Sequence, residues 1–183
     1  MKYRQVILLA IFLTILTNVS SQQMGNIDDK GIIIGYQNTK YEVSMENSSI
    51  EQYQNNGFFV SFFADIELSE KFYVQPELLY SMTFNQGTNY KKVAIPIMLK
   101  YFIINKVSLQ VGSLFDILFD NSLNRNSGIN LMGGIGTKIT EDFSILIRYS
   151  YPLTGRGYDT ENDFFSYNFN YLQVGVAYRL WEK

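Results

Sequence analysis

The last stretch of the chain alternates without a break. Leu172, Val174, Val176, Tyr178 and Leu180 fall on one side of a period-two repeat, and Gln173, Gly175, Ala177 and Arg179 on the other. Successive side chains of a strand point to opposite faces, so this segment folded as β carries one oily surface and one small or polar surface. A strand with hydrocarbon on one side and a packed polar interior on the other has this pattern.

The opposite end sets the context. Lys2 and Arg4 precede an apolar run from Val6 to Leu16, and Asn18-Val19-Ser20-Ser21-Gln22 follows. A run of about 11 residues is well short of the roughly 20 that a membrane-spanning helix needs. With Val19-x-Ser21 as a small-residue cleavage site, residues 1–21 read as a secretory signal peptide and 22–183 as the mature chain. The sequence contains no cysteine, so neither a lipid-anchored N-terminal cysteine nor a disulfide framework is available. Export without disulfides fits a bacterial envelope protein.

Loss of the signal removes two cations and leaves 13 basic residues against 17 acidic ones. That balance argues against nucleic acid as a partner. The composition is aromatic-rich and glycine-rich, with 14 Tyr, 14 Phe and 13 Gly but 3 Pro, and mean hydropathy is −0.05. A barrel with one lipid face and one polar face averages to this.

Eight alternating segments are legible in the mature chain, separated by connections that are alternately long and short. The first, about Gly31 to Thr39, places Ile32, Ile34 and Tyr36 together, and a long polar loop is expected from there to Asn56. Gly57 to Leu68 and Phe72 to Phe84 flank a tight turn at Ser69-Glu70-Lys71. Tyr90 to Ile103 and Val107 to Leu118 flank Asn105-Lys106, and Gly128 to Thr140 and Phe143 to Leu153 flank Glu141-Asp142. A long loop then leads to the eighth strand near Tyr167. Four longer loops at one end and three tight turns at the other predict an all-β fold, an eight-stranded antiparallel up-and-down transmembrane β-barrel with both termini in the periplasm. Pro76 and Pro96 fall inside strands of a sheet without edges, and local bulges are the expected accommodation.

Several motifs resemble a known family, the small outer-membrane β-barrel proteins of Bacteroidota called the PorT family, related in architecture to OmpX and to the barrel of OmpA. The resemblance is carried by Gln75-Pro76-Glu77-Leu78-Leu79-Tyr80-Ser81, by Val93-Ala94-Ile95-Pro96-Ile97-Met98-Leu99-Lys100-Tyr101 and by Arg148-Tyr149-Ser150-Tyr151. Together with the final strand these span most of the mature chain. Gln173, Gly175, Tyr178 and Leu180 also resemble the C-terminal signal read by the barrel-assembly machinery. The resemblance implies a barrel in outer-membrane lipid, with the strand prolines as expected features. The family's founding member is implicated in protein secretion, and an accessory secretion role is one alternative it implies.

The chain has no histidine. Histidine is the usual base near neutral pH, and transition metals favour His and Cys ligands. No enzymatic activity, cofactor or metal is therefore expected. The most informative polar set is the inward-facing group Asp65, Glu67, Glu77, Lys92, Lys100, Asp116, Lys138, Arg148 and Arg179. An eight-stranded interior is just wide enough for side chains to fill, and buried charges must be partnered. A paired network plugging the lumen is expected, and a narrow polar path for small solutes is the alternative.

Gly133-Gly134-Ile135-Gly136 sits within an alternating strand with no helix after it, so room for large neighbours such as Arg148 is its expected purpose. Asp159-Thr160-Glu161-Asn162-Asp163 reads as a solvated acidic loop, with calcium as the alternative. Phe164, Phe165 and Tyr167 form either a partner-contact surface or an interfacial girdle. The expected role is structural or surface-interacting, through extracellular loops and an extracellular or envelope protein partner. A soluble periplasmic lipocalin-like barrel is a further alternative, and it requires the apolar face to point inward.

Overall fold

The computed structural model describes residues 27–45, 48–85, 88–119, 126–159 and 164–181. Residues 1–21, the expected signal peptide, lie outside them. Nine strands are present: β1 (Ile27–Met45), β2 (Ser48–Ser69), β3 (Phe72–Asn85), β4 (Thr88–Ile104), β5 (Val107–Leu118), β6 (Ser127–Lys138), β7 (Phe143–Pro152), β8 (Arg156–Asp159) and β9 (Phe164–Trp181). Each of β1 to β6 pairs antiparallel with the next, β7 pairs with β9, and β9 returns to β1. That last pairing runs from Lys30↔Trp181 to Met45↔Phe165 and closes the sheet into a barrel. Closure is what a spanning sheet requires, because an open edge in hydrocarbon leaves backbone donors and acceptors unsatisfied. β8 takes over from β7 as the neighbour of β9, Arg156↔Tyr167 to Asp159↔Phe164, so the barrel wall has eight strands, one of them broken between Pro152 and Arg156.

The alternation divides the residues as expected. Ile34, Phe62, Ile135 and Ile147 are more than half exposed on the outer wall, while Ile33, Phe59, Leu79, Met98, Leu114 and Met132 are buried inside. The outer surface is thus a continuous apolar band, too large for water to cover. Aromatic pairs rim it. Phe72 packs against Tyr101 and Phe143 against Tyr178 near the tight turns, and Phe58 against Phe84 near the loops. Such girdles sit at the two interfaces of a transmembrane barrel. A soluble lipocalin-like barrel would bury this face and is ruled out by its orientation.

Three expectations need correction. The predicted loop from Lys40 to Asn56 is strand. β1 and β2 pair without interruption from Ile32↔Phe62 to Val43↔Glu51 and again at Met45↔Ser48, because alternation persists through Tyr41 and Val43 under the polar composition. The predicted last loop likewise contains β8, and β9 begins at Phe164. No bulge accompanies the prolines. Register is the same on either side of Pro76 and Pro96, and the ladders skip two positions instead: Phe63↔Glu77 is followed by Ile66↔Val74, and Pro76↔Ile97 by Leu79↔Ala94. Each proline and one neighbour, Gln75 beside Pro76 and Ile95 beside Pro96, go unpaired on the side where the missing N–H would donate.

Glycines set where the interior is thickest. Gly35 and Gly175 are partners across the closing β1–β9 seam, and the Phe59 ring occupies the space beside them. A Cβ at Gly175 would lie 2.9 Å from Phe59 Cζ.

Candidate functional site

The interior charges gather in three tiers, described from the tight-turn end to the loop end. In the first tier Lys100 Nζ lies 2.6 Å from Asp65 Oδ2, and Arg179 Nη2 lies 2.9 Å from Asp29 Oδ2. They line a vestibule of about 60 Å³ that also takes in Lys138, Glu141 and Asp142. Lys138 Nζ stands 5.0 Å from the Phe102 ring centroid, a cation–π contact. Glu67 is half-buried on the same end of β2 and joins none of the ion pairs among the described residues.

In the second tier, at mid-barrel, Arg148 Nη1 lies 2.7 Å from Glu77 Oε1, with both side chains fully buried. Gln75 Nε2 donates to Glu77 Oε1 at 2.7 Å and Ser61 Oγ to Oε2 at 3.0 Å, while Arg148 Nε donates to Gln110 Oε1 at 2.8 Å. Gly134 faces Arg148 across the β6–β7 ladder, and a Cβ there would sit 2.7 Å from Arg148 Cγ, so the glycine run does make room for that side chain. Next to this pair Gln173 Nε2 donates to Gln37 Oε1 at 2.8 Å. Leu79, Met98, Leu114 and Met132 fill the rest of the cross-section with no exposed surface. A water-sized sphere reaches none of them, and the interior here is a plug.

The third tier was only half legible in the sequence. Asp116 accepts from the Tyr171 hydroxyl at 3.0 Å, pairs with Arg156 Nη2, and lies 3.8 Å from Lys92 Nζ. Arg156 comes from β8 and reaches into the barrel, its guanidinium 4.7 Å from the Phe169 ring centroid. Gly128 leaves space for it, since a Cβ there would lie 2.6 Å from Arg156 Nη2. Arg156 and Asp29 are the two network members that sequence reasoning missed. Asp29 shares the parity of Ile33, Gly35 and Gln37, so carrying the β1 alternation two residues further back finds it. Arg156 lies in Gly155-Arg156-Gly157, where no periodicity points inward.

Above this tier an aromatic stack continues outward. Tyr171, Phe169, Tyr41 and Tyr53 follow one another at centroid separations of 6.4, 5.3 and 5.0 Å, all near-parallel. Tyr41 stands beyond the lipid-facing band, where outward positions turn polar at Lys40 and Glu42. Burial, then the neighbouring Tyr90, push its phenol up to about 12, with the Asn55 amide pulling weakly the other way.

In the candidate assembly signal, Gln173 and Gly175 face inward and Tyr178 and Leu180 outward. Residues 160–163 of the acidic loop lie outside the described residues, as do the side chains of Asp159, Phe164 and Phe165. Among the described residues no group of three or more carboxylates could hold a metal ion.

The sequence pattern of the family described as "Outer membrane protein beta-barrel domain" matches residues 8–179. The chain belongs to that family. This outer-membrane barrel also resembles Ail, the attachment invasion locus protein of Yersinia pestis, with a TM-score of 0.52 at 15% identity over 85% of this chain and 100% of the other. Ail in complex with the heparin analogue sucrose octasulfate gives 0.50 at 16% identity, with the same coverage. Neisserial surface protein A gives 0.46 at 14% identity over 81% and 97% of the two chains. At 15–16% identity the two Ail structures show a shared fold and nothing more. No curated protein matches the chain in sequence. Family and fold together make this an integral protein of the bacterial outer membrane.

Proposed function

We propose that the protein is a non-enzymatic surface-interaction barrel, with its tight turns and termini in the periplasm and its loop end outside the cell. One observation carries this reading: β1 and β2 continue as a hairpin beyond the lipid-facing band. β3 first pairs with β2 at Asn56, so Ser48 to Asn55 have β1 as their one strand neighbour among the described residues, while β1 itself stays paired with β9 as far as Met45. Their side chains from Glu51 to Gln54 are exposed, and a rigid, polar, tyrosine-bearing projection on a fixed scaffold suits contact with a partner. Ail, whose name describes an attachment protein, is consistent with a barrel of this kind acting at the surface. The filled mid-barrel tier counts against the alternative of a solute channel.

The test exploits the absence of cysteine. Gln52→Cys and Lys71→Cys are labelled with a membrane-impermeant maleimide, the first expected to react in intact cells and the second only after permeabilisation. Adhesion of cells carrying the native barrel or a hairpin shortened between Tyr41 and Tyr53 is then measured on immobilised extracellular protein. Equal adhesion, or labelling in the reverse order, would overturn the reading. Planar-bilayer recording should show no steady conductance.

A further inference from the structure

The outer face of the closing seam changes character toward the loop end. Across β9, β1 and β2, one outward row is Val174, Tyr36 and Phe58, part of the lipid-facing wall. Two rows further on stand Asn170, Lys40 and Gln54, and then Asn168, Glu42 and Gln52. Neither of these rows holds an apolar residue, and Asn38 and Asn56 lie between them and the wall. The patch thus carries six carboxamides, one ammonium and one carboxylate. Pairing among the three strands is unbroken from Ile32 to Val43 of β1, so the patch continues the surface of the wall beneath it.

Tyrosines of the wall hold several of these amides in place. Tyr36 donates its hydroxyl proton to Asn56 Oδ1, which also accepts from Asn38 Nδ2 at 2.8 Å, and the Tyr149 hydroxyl donates to Asn170 Oδ1 at 3.1 Å. Gln52 Nε2 donates to Glu42 Oε1 at 2.9 Å. Asn56 Nδ2, Asn170 Nδ2, Gln52 Oε1 and the whole Gln54 amide keep their hydrogen-bonding capacity unused among the described residues. Lys40 and Glu42 join none of the ion pairs among those residues. Lys40, Gln52, Gln54 and Asn56 are exposed, and the half-buried Asn170 does not enclose its unpaired nitrogen. Donors and acceptors that are already positioned lose little freedom when a ligand arrives.

We propose that this patch binds the saccharide head of a glycolipid whose acyl chains lie against the wall at Val174, Tyr36 and Phe58. Continuity with the lipid-facing band selects a lipid as the occupant, since a chain packed on that wall brings its head group to the next rows, and a soluble partner would first have to displace it. The side chains select the head. A sugar hydroxyl both donates and accepts, as a carboxamide does, so neighbouring amides match neighbouring hydroxyls. Lys40 and Glu42 sum to zero charge, and the patch therefore offers a phosphate head no net attraction. That the glycolipid belongs to the outer leaflet rests on the orientation proposed above; the binding itself does not.

The test mixes the full-length protein in detergent with equal amounts of diglucosyl diacylglycerol and phosphatidylglycerol of matched acyl chains, and native mass spectrometry counts the lipid each barrel retains. The native protein is expected to keep the glycolipid in several-fold excess. Gln54→Leu and Asn170→Leu, singly and together, should bring the ratio toward equality while the folded form still shifts in mobility on heating. Lys91→Leu, at an exposed position on β4 away from the patch, should leave the preference unchanged. Phosphatidylglycerol retained as well as the glycolipid, or better, would overturn the proposal, and so would a preference that survives in the folded single or double variants. Both lipids reach either end of the barrel in detergent, so these outcomes stand apart from the orientation, which the maleimide labelling decides.

Discussion

Arg156 and Asp116 form an ion pair between a four-residue strand at the loop end and the interior wall of β5, tying β8 to the barrel through its lumen. The backbone alone holds β8 on one side, by its ladder with β9. Asp116→Asn should loosen that hold. Hydrogen exchange at the Gly157 amide is expected to accelerate at least tenfold, with β5 and β6 amides unchanged. Acceleration spread evenly over the barrel would instead mean global destabilisation.

The mid-barrel pair behaves differently, since both partners are fully buried. Removing one partner leaves an uncompensated charge, and breaking such a pair costs about 3–5 kcal/mol. Glu77→Gln or Arg148→Met alone should lower unfolding stability in detergent by that order. The double change Glu77→Leu with Arg148→Met should recover most of the loss, because an apolar pair of similar volume needs no counter-charge.

Gly134 is the position at which a single methyl group should matter most along β6. Its Cβ would fall against the Ile147 carbonyl oxygen and 2.7 Å from Arg148 Cγ, and overpacking costs about 1–3 kcal/mol. Gly134→Ala is expected to destabilise by that amount. Gly133→Ala, where the nearest heavy atom is the Gln110 carbonyl oxygen at 3.8 Å, should be close to neutral in the same unfolding titration.

Tyr41 gives an alkaline signature. Its phenol is raised from 10.0 to about 12, so the folded barrel holds this proton more tightly than the unfolded chain does. Stability from this group is fully present below pH 10 and is lost as pH rises through about 12. Tyr41→Phe should flatten the fall in unfolding stability over that window, measured against the native protein at matched ionic strength.

Much of this protein was legible in its sequence because a strand's side-chain period is local. Leu172 to Leu180 fixed which residues face lipid, the tight turns at Asn105-Lys106 and Glu141-Asp142 fixed strand order, and the parity of Asp65, Glu77, Lys92 and Arg148 placed them inside. What the period could not supply was which inward groups meet. Glu77 and Arg148 are on β3 and β7, and Asp116 and Arg156 on β5 and β8. These pairs depend on barrel closure and on the register of every intervening ladder. Composition also misled at Lys40 to Asn56, where polar residues suggested a loop although cross-strand pairing with Tyr41 and Val43 continues. Arg156 lay beyond local reasoning altogether: its inward direction is set by the break between β7 and β8, which only the return path of β9 creates. Face and strand order follow from the chain's own repeat; partnership inside the lumen follows from the sheet closing on itself.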